Sequence, residues 1–454
     1  MYLQLDAQVQ VRRAKVREIM GDLTVNLKVL LIFFLAISLV IPKSSKAKEV
    51  IHGVQGKNKH IHGLHEECPL PKNKMDIIEC ALSFHPSVKR GGLLIDSQTL
   101  LEEKASQIPN PTISARYVKG DNEGEEVSEL ETNLFFTVEL GDKRGSRIEF
   151  AQAKKNEAMA TNDAVKAQIK IITILNMHRL RQVFEEKQRL EETILAFSKV
   201  IRELKKLPRL SAEQEASLTL FEIALEETKV NESELFEEMR KLEHYFHIST
   251  GHSVKEIKEY LPNAPSKWPI ISAKNTEAVS PDIKKLKSLA DLAQKELEIQ
   301  ESEAWPDLKI GPSFSIEKDG AVENKMVGIN IQIPIPLFQV NGGGKAYARS
   351  EFMRAKKNVA LSVAEENHER YEQLRVYESS INILNKTMKQ ALIDKKHDRI
   401  EKLYLRGVVS SSVFLDSLKQ KLSYLKNRNH RELTAIRALW SIHKFDGKIL
   451  EEKI

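Results

Sequence analysis

The sequence has only two cysteines, few aromatic residues and no long apolar run beyond residue 47. Two cysteines exclude a disulfide framework as the basis of the fold. With aromatics at 6% and Lys, Glu, Leu and Ala abundant, the composition leans towards long helices. A concentrated basic excess is also missing. The 70 Lys+Arg and 64 Asp+Glu leave a net charge of +6 over 454 residues, which argues against nucleic acid as a partner. No Walker loop, nucleophile elbow or Cys-x-x-Cys pair occurs, so neither enzymatic chemistry nor a cofactor is expected. At 41% hydrophobic residues, the chain is not composed for disorder.

One apolar run is present, at residues 29–41 (VLLIFFLAISLVI). It is short for a membrane-spanning helix, which needs about 20 residues. It suits the apolar core of a secretory signal. Lys28 precedes it directly, and Arg12, Arg13, Lys15 and Arg17 lie further upstream. Ser45-Lys46-Ala47 places small residues where a signal peptidase reads, so cleavage is expected after Ala47. An uncleaved anchor is the alternative, and either Met1 or Met20 serves as the start. Residues 1–47 hold seven Lys+Arg and three Asp+Glu, so most of the basic excess belongs to the signal. The mature chain is then either soluble outside the cytoplasm or a β-type membrane protein, whose membrane signal hides in alternation.

The chain is written twice. Glu149-Phe150-x-x-Ala153-Lys154-Lys155-Asn156 recurs as Glu351-Phe352-x-x-Ala355-Lys356-Lys357-Asn358, at an offset of 202. His85-Pro86-Ser87-Val88-Lys89 matches Ser280-Pro281-Asp282-Ile283-Lys284, and Asn110-Pro111-Thr112-Ile113 matches Trp305-Pro306-Asp307-Leu308, both at 195. Three matches in one order point to duplication. Each copy starts with a helix behind its proline, at about residues 88–107 and 283–304. An extended pair follows in each.

The strands alternate. Leu130, Leu134, Phe136, Val138 and Leu140 share a face with Thr132, opposite Glu131, Asn133, Thr137 and Glu139, with Phe135 interrupting. In the second copy Val327, Ile329, Ile331 and Ile333 alternate with Gly328, Asn330 and Gln332. Leu308, Ile310, Pro312, Phe314 and Ile316 alternate with Lys309, Gly311, Ser313 and Ser315. A period of two with one apolar face marks a sheet between two different surroundings. These are either a soluble core and water, or lipid outside a barrel and water inside it.

The period then changes. Leu180, Val183, Leu190, Ile194, Phe197, Ile201 and Leu204 step by threes and fours, with Lys187 the polar rung. Leu218, Phe221, Leu225, Leu235, Met239, Leu242 and Phe246 form the return arm. The second copy has Leu374, Tyr377, Ile381, Leu384, Met388 and Ala391, then Leu415, Leu418, Leu422, Leu425, Ile436 and Leu439. Such seams are coiled-coil packing. No Pro or Gly interrupts residues 146–207, which predicts a helix roughly 90 Å long. Turns fall at residues 207–211 and 406–410, with Ser211 and Ser411 or Ser412 as N-caps of the return helices.

This combination resembles the TolC family of outer-membrane efflux proteins over about residues 75–446. Pro306-Asp307-Leu308 opens the second hairpin as the family's Pro-Asp-Leu does. Ile333-Pro334-Ile335-Pro336-Leu337-Phe338 resembles its apolar-Pro-Leu-Phe strand end, followed by Gly342-Gly343-Gly344 and Ala346. Asn110-Pro111 and Glu139-Leu140-Gly141-Asp142-Lys143-Arg144-Gly145 resemble the heavy-metal (cobalt–zinc–cadmium) subgroup, which usually has a second Gly where Asp142 stands.

The resemblance implies a mainly α fold of duplicated long antiparallel helical hairpins, an α-barrel when trimeric. Four β-strands per chain contribute to a trimeric twelve-stranded outer-membrane β-barrel. It implies a homotrimer in the outer membrane of a Gram-negative bacterium, with its tunnel in the periplasm. The partners implied are a periplasmic adaptor, an inner-membrane proton-driven pump and outer-membrane lipid. Metal cations are the implied cargo, with drugs or type I secreted proteins as same-fold alternatives. A periplasmic coiled-coil scaffold or adaptor is the reading from another class. The division expected is a signal (1–47), a His-containing flexible N-terminus (48–74), a first repeat (75–250), a connecting equatorial segment (251–279), a second repeat (280–446) and a tail (447–454).

Three sets of candidate site residues follow. Arg406, Gly407, Val408, Ser410 and Ser411 resemble the second tip, which docks the adaptor in the family; an ordinary helix turn ended by Gly is the plainer reading. The first tip has Pro208 and no Gly. Asn133, Asn330 and Gln332 are expected to line the barrel lumen. His60, His62 and His65, with His52, Glu66 and Cys68 nearby, offer donors for zinc or copper. The plainer reading is a solvated N-terminus, because the spacing matches no closed metal site. Cys68 and Cys80 allow one disulfide in an oxidising compartment.

Overall fold

The computed structural model describes residues 68–122, 125–273 and 279–454. The signal at 1–47 and the histidines His60, His62 and His65 lie outside the described residues.

Helix α1 (Lys74–Phe84) starts at Asn73, whose side chain accepts the N–H groups of Met75 and Asp76. The Asp76 carboxylate accepts the Asn73 N–H in return, so orphan donors at the helix start are satisfied reciprocally. Sequence reading missed this helix, which has no counterpart among the described residues of the second copy. Cys68 and Cys80 are joined in a disulfide that ties the preceding segment to α1.

Helix α2 (Pro86–Ala105) and its counterpart α6 (Pro281–Ser302) both carry Pro in the first turn, behind the caps His85 and Ser280. Proline costs nothing there, because its missing N–H has no helical partner. Each helix leads into a strand pair: β1 (Thr112–Asn122) with β2 (Glu125–Glu139), and β3 (Asp307–Asp319) with β4 (Val322–Gln332). The four form one antiparallel sheet in the order β1-β2-β3-β4. Pairing Val127 with Asp319 and Glu139 with Asp307 joins the two hairpins through their inner strands.

Long helices follow each hairpin. Helix α3 (Lys143–Lys205) has 63 residues, about 95 Å at 1.5 Å per residue. It returns as α4 (Ala212–Thr250), which ends at Gly251 in the left-handed region. A single turn, α5 (Val254–Ile257), follows. In the second copy α7 (Gly342–Lys386) and α8 (Gln390–Leu405) run out, and α9 (Ser411–Phe445) returns. The order helix, two strands, long arm, return arm therefore occurs twice.

The expected seams pack the arms. Ile174, Leu180, Val183 and Leu190 of α3 meet Leu235, Leu242 and Phe246 of α4 and Ile436 and Trp440 of α9. Nearer the turns, Phe197 and Ile201 meet Phe221, Phe414 and Leu418. Each buried side chain of this size stabilises by about 1.5–3 kcal/mol.

Two expectations are corrected. The ladder through Met388 and Ala391 is broken, and both residues are exposed. Thr387 leaves the helical region at ψ 151°, and its hydroxyl donates to the Leu384 carbonyl at 3.0 Å. The Tyr424 hydroxyl donates to the freed Met388 carbonyl. Local side-chain bonding to the backbone competes with the helix in this way. The second correction is the N-cap of α9, which is Ser410, not Ser411 or Ser412. The preceding helix closes early at Gly407, so Ser410 is the residue left extended (φ −72°, ψ 162°) to begin the next.

Candidate channel-lining and docking surfaces

The register of the sheet keeps its two faces chemically distinct. Ile113, Leu134 and, through Pro312, Ile329 share one face; so do Phe136, Ile310 and Ile331. This apolar face is open: Val327 is 82% exposed and Ile329 76%. The opposite face carries Ser114, Asn133 and Ser313 in one row, and Arg116, Glu131 and Ser315 in the next.

All three residues expected on the polar face lie there. The Asn330 amide donates to the Asn133 carbonyl oxygen at 3.3 Å, and the Asn133 amide donates to the Glu131 carboxylate at 3.1 Å. Gln332 stands opposite Lys309. Phe135 shares this face and is buried. Strand β1 was not resolved from sequence, because its alternation fades after Ile113, Ala115 and Tyr117 into Lys119 and Gly120.

Charged pairs fasten the sheet to the helices. Arg147 pairs with Glu139, and Lys143 bonds Asp307 at 2.5 Å. Hydrogen bonding to Glu139 raises the Arg147 pKa over the opposing effect of burial. Asp142 (φ 56°) and Asn341 (φ 51°) make the two sheet-to-helix corners in left-handed backbone.

At the far end of the arms, α8 finishes in a Schellman turn. The Gly407 N–H donates to the Tyr404 carbonyl at 2.8 Å, and the Val408 N–H to the Leu403 carbonyl at 3.0 Å. Gly407 has φ 71°, a conformation that glycine adopts without penalty. Arg406, Gly407, Val408 and Ser410 are exposed, and Ser411 is half-buried. Beneath them Tyr404 stacks on Phe414 at 4.6 Å between centroids, and Phe221 lies 6.4 Å from Phe414. The aromatic cluster therefore holds both turns in one base. The first turn lacks glycine, and Ser211 starts α4 with a capping box to Gln214.

Midway along the arms a polar network joins α3, α4 and α9. Arg179 bonds Glu186 at 2.8 Å and Glu238 at 2.6 Å. The Asn429 amide donates to Glu186 at 2.8 Å, and Arg181 pairs with Glu432. Burial lowers the His178 pKa, with the Glu432 carboxylate 3.7 Å away. These residues carried no recognisable sequence signal, since single charges inside an apolar ladder look like surface rungs.

No helix among the described residues is long and apolar enough to cross a membrane. No protein-family model matches the sequence. No curated protein matches it in sequence. Solved structures do match in fold. The Campylobacter jejuni CmeC outer membrane channel is 13% identical, with a TM-score of 0.63 over 84% of this chain and 87% of that one. CusC, described in terms of transmembrane channel formation, is 12% identical, with a TM-score of 0.62 over 87% and 95%. The Vibrio cholerae outer membrane protein VceC is 12% identical, with a TM-score of 0.61 over 83% and 96%. The chain has the fold of these proteins, mainly helical with a four-stranded antiparallel sheet.

Proposed function

We propose that three copies of the mature chain form a passive exit duct in the outer membrane of a Gram-negative bacterium. The two-faced sheet carries this reading. β1 and β4 each have one edge without a partner among the described residues, and lipid satisfies no backbone donor or acceptor. Four strands cannot close on themselves, whereas three copies give a twelve-stranded ring with Ile329 and Val327 towards lipid and Asn133, Asn330 and Gln332 towards water. The helical arms then continue the duct into the periplasm. The duct has no chemistry of its own. An inner-membrane proton-driven pump supplies the energy, and a periplasmic adaptor docks at residues 406–411.

Heavy-metal cations are the cargo this reading favours. The run from Glu139 to Gly145 supports it, including its one departure. Asp142 adopts the left-handed backbone that a glycine at that position takes without strain. The test is reconstitution of the purified protein into planar bilayers. Discrete conductance steps, with a trimer mass in mild detergent, are the expected result. Monomers without conductance overturn the proposal. Cobalt, zinc and cadmium sensitivity of cells lacking the protein tests the cargo, and sensitivity to drugs alone excludes metals.

A further inference from the structure

We propose that Cys68, Cys80 and His252 form a binding site for one thiophilic cation, zinc(II) or copper(I), in the reduced chain. The site is separate from the duct and does not rest on the transport reading.

The three side chains come from distant parts of the sequence and meet inside the protein. All three are buried. Their donor atoms lie within 4.8 Å of one another. Donors around a tetrahedral zinc, at about 2.3 Å for sulfur and 2.0 Å for nitrogen, stand roughly 3.5 Å apart. Small side-chain rotations therefore close the set. Two thiolates and an imidazole are a soft donor set, which suits zinc and copper(I) over hard cations.

The histidine is the informative member, because a disulfide needs no imidazole beside it. His252 is held from two sides. Its Nε2 lies 3.2 Å from the Pro69 carbonyl, and its backbone N–H donates to the Thr250 hydroxyl at 3.2 Å. With the Nε2 proton given to that carbonyl, the Nδ1 lone pair is left to bind. A carbonyl behind the second ring nitrogen is the usual support of a metal-binding histidine. Glu256 stands 3.9 Å from Nδ1, but its carboxylate already accepts the Ser253 N–H at 2.7 Å.

The two fates of the cysteines exclude each other. On binding a divalent cation the two thiols release two protons to solvent, and no electrons move. On oxidation by a disulfide-bearing oxidant, the pair gives two electrons and two protons to it, becoming the Cys68–Cys80 disulfide as two new thiols leave. Metal would staple the segment before α1 to the turn between α4 and α5. The disulfide reaches only α1.

The test uses the full mature chain in detergent, with His60, His62 and His65 all replaced by alanine to remove the tail's donors. One sample is kept reduced without oxygen and one is oxidised to the disulfide. Each is loaded with zinc alone and desalted. One zinc per reduced chain and none per oxidised chain is expected. Cobalt in place of zinc should give a thiolate charge-transfer absorption in the reduced sample only. Reduced Cys80→Ser and His252→Gln chains should lose the metal, and the same-sequence comparison stands even where a variant folds poorly. Equal zinc in reduced and oxidised chains, or a full equivalent retained by folded His252→Gln, overturns the proposal.

Discussion

Asp142 and Asn341 occupy the same corner of the two repeats, 199 residues apart and both left-handed, at φ 56° and 51°. Each closes the turn from the sheet into a long arm. Each also sits against a glycine three residues on. A Cβ at Gly145 would collide with the Asp142 carboxylate, and one at Gly344 with the Asn341 amide. Asp and Asn tolerate this backbone better than other side chains do, at a cost of about 1–2 kcal/mol for ordinary L-residues. Asp142→Val should therefore lower stability by roughly that amount, and Asp142→Gly should not. Urea unfolding followed by circular dichroism checks it.

The tip glycine makes a sharper demand. A Cβ at Gly407 meets nothing within 4 Å, so its constraint is the backbone alone, at φ 71°. Gly407→Val should cost about 1–2 kcal/mol locally and abolish export, while assembly is kept. Assembly is read by mass in mild detergent and export by cell sensitivity. Unimpaired export removes the docking role.

A buried ion pair fastens the segment before α6. The Arg370 Nε bonds the Asp446 carboxylate at 2.6 Å, and its terminal nitrogens donate to the carbonyls of Ser272 at 3.1 Å and Ala273 at 3.3 Å. Removing one partner strands a buried charge, which costs about 3–5 kcal/mol. Asp446→Ala should thus destabilise strongly and open the chain near Ser272 to protease. Replacing both partners with apolar residues of similar volume should recover much of the loss. Limited proteolysis distinguishes the two variants.

Acid should weaken the fold. Burial holds His85, His178, His397 and His443 below the ordinary value of 6.5. A histidine with a depressed folded pKa binds its proton better when unfolded. Its contribution is complete above about pH 6.5 and drains away as pH falls below that. Glu432 acts in the same direction below its ordinary value of 4.5. Burial would raise its pKa, but His178 and Arg181 outweigh that and hold it down. Glu366, raised by burial, runs the other way. Urea midpoints should fall between pH 7.5 and 5.5, and His178→Gln should flatten the slope. An unchanged midpoint contradicts this.

Much of the architecture was legible because it is periodic. Val327, Ile329 and Ile331 betray a strand, and Leu180 to Phe197 a seam, before any coordinates. The break after Lys386 was not legible. Thr387 and Met388 look like ordinary helix residues, and the Met388 carbonyl freed at the break is met by Tyr424, far along the chain. His252 was invisible beside Cys68 and Cys80 for the same reason: folding, not spacing, unites them. Arg370 and Asp446 likewise read as surface charges until the packing of α7 and α9 encloses them.

The orientation of the sheet between lipid and water is tested most directly by two adjacent residues, Ile329 and Asn330. Both described cysteines are disulfide-bonded, so a single introduced cysteine can be labelled alone with a water-soluble thiol reagent in intact outer membranes. A lipid-facing Ile329 predicts that Ile329→Cys stays unlabelled until detergent is added, while Asn330→Cys is labelled at once. Equal, immediate labelling of both would show that water reaches both faces, and would contradict a membrane barrel.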